Sequence, residues 1–237
     1  MKRTLVITAV AAALVQHLSA QVFDASTQFS PTSNPNSVWR YGFEATTLGS
    51  GFTLFNTAAQ FIPNAVDSWS SSSLGANPEI NHNNTGSTFF ASDPALQIEW
   101  AANELAFHPG PAGQFSVLRF VAPAAGIFQL AVSFQGIDHQ GATTDVHVLA
   151  NNISLFDQQI TGFHVPRSFS TTLTLAQGGT VDFAVGYGAN GNFLEDSTGV
   201  SATIAVVPEP FGGSLILLGV AIVSVFSRHR ANHTKTA

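Results

Sequence analysis

The sequence predicts an all-β protein: a single β-sandwich or jelly-roll ectodomain, flanked by an N-terminal signal peptide and a C-terminal transmembrane helix. Three observations predict it. Short apolar runs recur between residues 21 and 206 with turn residues between them and no helical period. Within the runs apolar side chains alternate, as in Phe128, Leu130, Val132 and Phe134. An apolar segment bordered by basic residues stands at each end of the chain.

At the N-terminus, Lys2 and Arg3 precede an apolar run from Leu5 to Val15, and Leu18-Ser19-Ala20 follows. A charged start, an apolar centre and small residues at the end form a secretory signal, so residues 1–20 are expected to be removed. Cleavage after Ala20 places the large Leu18 at the −3 position, which leaves the bond itself undetermined.

The clearest strands in the first half are Val38–Glu44, Phe52–Asn56, Leu96–Trp100, Ser116–Ala122 and Ile127–Gln135. Asp145–Ala150, Ser168–Leu175, Thr180–Tyr187 and Val200–Val206 follow. Pro123-Ala124-Ala125-Gly126, Asn151-Asn152 and Gln177-Gly178-Gly179 supply turns. Most of the twenty phenylalanines fall in this region and are expected to form the core. Residues Asp67 to Thr88, rich in Ser and Asn, read instead as a long polar loop, the kind of segment that is either a binding loop or unstructured.

Between residues 21 and 207 three arginines stand against thirteen carboxylates, with no lysine. A surface with ten negative charges in excess repels phosphate backbones, which argues against nucleic-acid binding. Cysteine is absent, so no disulfide supports the domain and stability must come from an ordinary core. The length suffices for one such core.

At the C-terminus, residues 207–230 combine a breaker, an apolar run and a cationic stop. Pro208-Glu209-Pro210 ends the sheet because proline lacks an N–H and restricts the residue before it. Phe211–Phe226 is uncharged and, as a helix, would span roughly 24 Å, short for a bilayer core of about 30 Å. Arg228 and Arg230, with Lys235 in a tail of residues 231–237, keep that end in the cytoplasm by the positive-inside rule. Everything between the two basic ends is therefore expected outside the cytoplasm.

The order of Pro208-Glu209-Pro210, Phe211–Phe226 and Arg228-His229-Arg230 resembles the PEP-CTERM sorting signal of exported Gram-negative proteins. That resemblance implies an exosortase-type processing enzyme as partner, an inner membrane held through 211–226, and cell-surface or matrix location after processing. It also implies an association with extracellular polysaccharide. Within the ectodomain, Asn34-Pro35-Asn36-Ser37-Val38-Trp39-Arg40-Tyr41-Gly42 resembles an opening of the same family, with Ser37 where glycine is usual. Val117–Pro123 with Gly126, Thr144–Ala150, Gly178–Gly188, Asn190-Gly191-Asn192 and Asp196-Ser197-Thr198-Gly199 resemble its later parts. Gly178-Gly179 stands where Gly-Asp is expected, so that turn lacks a carboxylate. The resemblance implies a sandwich of the carbohydrate-binding-module kind.

Catalytic motifs are scarce. There is no cysteine nucleophile, no Gly-x-Ser-x-Gly and no His-Glu-x-x-His, and no enzyme activity is expected. Asp145 and His147 share one face of their strand, a geometry that suits a metal, a proton transfer or a solvated pair. No cofactor is required. Calcium is the one ion the residues suit: Asp138, Asp145 and Asp196, with Glu195, lie in or beside turns and offer hard oxygens from separate loops. For sugar binding, Trp69 reads as an exposed contact in the polar loop, while Trp39 and Tyr41 share one face that serves either a ligand or the core. A secreted polysaccharide hydrolase, with a carboxylate pair such as Glu99 and Glu104, is the competing reading.

Overall fold

The computed structural model describes residues 21–93 and 96–208. The expected signal peptide, the expected anchor 211–226, Glu209, Pro210, Arg228 and Arg230 lie outside the described residues. Among the described residues the chain forms sixteen strands and no helix, and Gln21–Val207 is one compact unit.

Strands are numbered in chain order. The larger sheet runs β14 (Pro166–Leu175), β11 (Gly126–Gly136), β16 (Thr198–Val207), β9 (Leu105–His108), β6 (Gly75–Asn83), β5 (Val66–Ser71) and β4 (Thr57–Ile62). Strand β1 (Val22–Asp24) continues the line of β9, so that β9 pairs with Thr198–Val200 and β1 with Thr203–Ala205. The smaller sheet runs β13 (Ile153–Gln159), β12 (Asp145–Ala150), β15 (Thr180–Gly186), β10 (Phe115–Val121), β2 (Trp39–Glu44) and β3 (Thr53–Leu54). All pairings are antiparallel. From β10 onward the chain crosses repeatedly from one sheet to the other.

The two sheets face each other across an apolar core. Phe128, Leu130, Val132 and Phe134 point into it from β11, and Val200, Ala202 and Ile204 from β16. Leu118, Phe120, Val146, Val148 and Phe183 meet them from the smaller sheet. Period-two alternation puts every second residue of β11 inside, and Gln129 and Ala131 between them are exposed. The Asn151-Asn152 turn joins β12 to β13 with both residues at positive φ, 48° and 66°, the backbone a tight two-residue hairpin needs. Ser37, the position where the resembled pattern carries glycine, has φ 53°, the left-handed region that glycine enters without strain.

The Asp67–Thr88 stretch is not a loop: β5 and β6 occupy most of it, between β9 and the edge strand β4 of the larger sheet. Ser68, Ser70, Glu79, Asn81 and Asn83 are buried because both faces of β5 and β6 are covered. On the inner face Trp69 and Ile80 join the main core. On the outer face Val66, Ala106 and Ile137 form a second, smaller core with Ile98 and Trp100. Those last two belong to β8 (Leu96–Trp100), which pairs with β7 (Phe89–Asp93) in a separate two-stranded hairpin. The hairpin lies over the outer face of the larger sheet, and this second layer builds the site described next.

Candidate functional site

Strand alternation places Asn77, Glu79, Asn81 and Asn83 on the outer face of β6, while Ile80 between them enters the main core. Glu79 pairs across the sheet with His108 on β9 and with Ser70 on β5. Above them sits the inner side of β8, and two loops close the ends: Asp138–Gln140 after β11, and Phe193–Ser197 before β16. Asp138 is pinned to the hairpin by a bridge with Ile98, and the Ile137 N–H donates to the Ser197 carbonyl at 3.0 Å. Together these segments line a half-open cavity of about 430 Å³. Glu79, Asp138 and Glu195 line it with His108, Asn77 and Gln140, and Phe61, Leu96, Ile98, Phe193 and Leu194 form its apolar walls.

The polar lining has unused hydrogen-bonding capacity. The Asn77 Oδ1 atom is buried and accepts no hydrogen bond. Glu79 is 4% exposed, and among the described residues its carboxyl has one hydrogen-bond partner, the Asn81 side-chain amide donating to Oε1 at 3.3 Å. Burial pushes the Glu79 carboxyl up to about 7. Burial also raises Asp138, and the charge of Glu195 adds to that rise. His108 is lowered by burial, with its Nδ1 at 3.0 Å from the Pro109 carbonyl oxygen and its ring edge against Phe193. At neutral pH the cavity therefore holds an uncharged imidazole beside a Glu79 carboxyl that is still partly protonated.

Asp196 feels the charges of both Asp138 and Asp145. Asp196 is buried, accepts from the Thr143 N–H at 2.8 Å and its hydroxyl at 3.2 Å through Oδ1, and has no partner at Oδ2. Burial, with the charges of Asp138 and Asp145, raises it to about 6. Asp145 is turned elsewhere: its Oδ1 accepts from the Gly188 N–H at 2.8 Å and its Oδ2 meets His147 Nε2 at 2.9 Å. Among the described residues no three of His, Asp and Glu gather closely enough to hold a metal ion, so the expected calcium site is not assembled there.

Asp145 and His147 do share one face, as strand parity requires, and Asp157 of β13 completes the group at 2.5 Å from His147 Nδ1. The two carboxylates hold the imidazole above its ordinary range, and both carboxylates fall below theirs. Beside them is a second hollow of about 390 Å³ that reaches Arg167.

The aromatic residues expected to touch sugar are core residues. Trp69 is 6% exposed, stacks on Tyr41 at 6.3 Å and donates its indole N–H to the Ser30 carbonyl at 2.7 Å. Trp39 and Tyr41 are fully buried, and burial drives the Tyr41 phenol up to about 12. None offers a ring face to a ligand, because the covered β5 strand gives Trp69 a core to enter. Glu99 and Glu104 do not line the cavity. Glu99 projects from the outer side of the hairpin to His139 Nε2 at 2.9 Å, and Glu104 caps the Ala101 N–H at 2.7 Å. Glu79, Asn77 and His108 were not singled out by sequence. The signal for them was polar residues at every second position from Asn77 to Asn83.

No family model matches the chain, and no curated protein matches it. Several solved structures resemble it weakly. A CBM51 module from Clostridium perfringens GH95, solved with methyl-galactose, shows 13% identity and a TM-score of 0.36, with 64% of this chain and 94% of that one covered. A family 35 carbohydrate binding module from Clostridium thermocellum shows 12% identity and a TM-score of 0.29 over 53% and 86%. The Podospora anserina GH26-CBM35 β-(1,4)-mannanase shows 10% identity and a TM-score of 0.30 over 62% of this chain and 29% of that one.

Proposed function

We propose that this chain is an exported, non-enzymatic surface or matrix protein whose sandwich binds a segment of extracellular polysaccharide in the outer-face cavity. The observation that carries the binding reading is the cavity itself, where apolar walls surround Glu79, whose carboxyl accepts a hydrogen bond at one oxygen only among the described residues. Sugar hydroxyls supply donors, and a pyranose offers an apolar C–H face to Phe61 and Phe193. Glu79 accepts that hydrogen bond at Oε1, so a hydroxyl that reaches its other oxygen adds one, worth about 0.5–1.5 kcal/mol. The test is co-sedimentation of the protein with the polysaccharide of its source organism. Asn77→Leu and Glu79→Met should each abolish it while thermal unfolding remains cooperative. Retained binding in both variants would exclude this cavity.

Export, membrane retention and processing rest on the two basic-ended apolar segments and Pro208-Glu209-Pro210. An exosortase-type enzyme is the partner at that motif, and the inner membrane holds 211–226 until processing. Intact mass of the protein from membrane and extracellular fractions tests this. Processing gives an extracellular species that starts near Gln21 and ends near Pro210. A tail intact in every fraction would refute it.

One observation favours a second reading. Glu79, protonated near pH 7, and Asp138 face one cavity, as an acid and a second carboxylate do in glycoside hydrolysis. Release of reducing sugar from the bound polysaccharide, abolished by Glu79→Gln, would establish a hydrolase instead of a binding protein.

A further inference from the structure

We infer that the outer-face cavity selects a positively charged sugar, the ammonium group of an amino sugar in a polysaccharide chain, and that Glu79 receives it. The inference rests on the polysaccharide reading above and specifies the ligand. Three carboxyl side chains, Glu79, Asp138 and Glu195, line one cavity, and no lysine or arginine joins them. The ectodomain's three arginines are placed elsewhere: Arg119 is ion-paired with Asp182, Arg40 donates to the Ser37 carbonyl and Arg167 to the Pro166 carbonyl. Asp196 adds a further carboxyl within reach of Asp138's charge.

Glu79 sits at the floor, where its neighbours define what it lacks. Strand β9 presents only His108, which burial keeps uncharged, and β5 presents the hydroxyl of Ser70. Among lining residues the hairpin contributes Leu96 and Ile98, which carry no charge, and the two loops contribute Asp138 and Glu195. Every charge that faces Glu79 is therefore negative. The carboxyl is almost wholly buried and only one of its oxygens accepts a hydrogen bond, so the other is open to the cavity. A carboxyl in that position holds a proton for want of a cation. An ammonium group has three donors and no acceptor, which matches a lining whose carboxyls, Glu79, Asp138 and Glu195, are acceptors. Charge-assisted hydrogen bonds of this kind are roughly twice as strong as neutral ones. The same field opposes uronate sugars.

Isothermal titration calorimetry at pH 6, on protein purified as its source organism makes it, distinguishes the ligand classes. The probes are a glucosamine tetrasaccharide, its fully N-acetylated counterpart, a galacturonate tetrasaccharide and spermidine. The glucosamine oligomer should bind at least about tenfold tighter than the acetylated one, a difference of about 1.4 kcal/mol. The galacturonate oligomer should not bind. Binding should release protons, read from buffers of different ionisation enthalpy, because the ammonium displaces the Glu79 proton. Glu79→Gln should remove both the discrimination and the proton release. Equal affinity for the acetylated oligomer, or discrimination retained in Glu79→Gln, would overturn the inference. So would spermidine binding as tightly as the tetrasaccharide, which would mark a bare ammonium site. If the organism's polysaccharide binds and none of the tetrasaccharides does, the amino-sugar class alone falls. If the polysaccharide itself does not bind, the reading beneath it falls as well.

Discussion

Replacing Glu79 with glutamine should stabilise the protein, and by an amount that grows with pH. In the unfolded chain the carboxyl titrates at about 4.5, whereas in the fold burial holds it at about 7. Between those values the native state binds the proton and the unfolded state does not. Stability contributed by this group is therefore fully present below pH 4.5 and lost as pH rises through 7. At about 1.36 kcal/mol per pH unit, a gap of roughly 2.5 units amounts to about 3 kcal/mol lost by pH 8. Exposure of 4% leaves little solvent screening to reduce that figure. Glutamine has the shape of the protonated acid and does not ionise. Urea unfolding of wild type and Glu79→Gln at pH 4, 6 and 8 measures the effect. The difference should be near zero at pH 4 and reach about 3 kcal/mol in favour of the variant at pH 8. A constant offset across the range, or a variant that is less stable at pH 8, would refute the assignment of a buried, poorly partnered carboxyl.

Arg119 lies over the smaller sheet with its Nε at 2.6 Å from Asp182, its Nη2 at 3.5 Å from Glu44 and its guanidinium 4.3 Å above the Phe52 ring. Both carboxylates are buried, so Arg119→Ala should cost about 3–5 kcal/mol in denaturant unfolding by leaving them unpaired. Trp69→Ala removes a core side chain and should cost about 3–5 kcal/mol, seen as a lower unfolding midpoint. An unchanged midpoint with altered ligand affinity would mean that Trp69 is exposed after all. The His147 ring should titrate above its ordinary value by NMR, and Asp145→Asn should bring it down. Because the folded value is raised, stability from protonated His147 is present below about pH 6.5 and fades as pH rises through the folded value.

The main core was legible because its strands are amphipathic. Phe128 to Phe134 alternate with polar or small residues, and the pattern alone places them inside. Trp39 and Tyr41 were legible only as sharing a face, since one strand does not reveal what lies over it. β5 and β6 were hidden for a different reason. Their outer face is covered by the β7–β8 hairpin that follows them in the chain, so Ser68, Ser70, Glu79 and Asn81 are buried although their chemistry reads as solvent-facing. Local polarity therefore suggested a loop, and Trp69 was set in it as an exposed residue. The cavity was illegible for the same reason: Glu79, Ile98, His108, Asp138 and Glu195 come from five segments that only the second layer brings together. Asp138, Asp145 and Asp196 read as oxygens offered to calcium from separate loops, but Asp145 pairs with His147.

The claim on which the functional reading depends is that polysaccharide enters the outer-face cavity and no other surface. Backbone amide chemical shifts of isotopically labelled protein, followed during titration with fragments of the source organism's polysaccharide, test it most directly. Shifts that concentrate at Asn77, Glu79, Ile98, Asp138 and Glu195 are the expected result. Shifts confined to the hollow beside His147, Asp157 and Arg167, or absent throughout the sandwich, would contradict it.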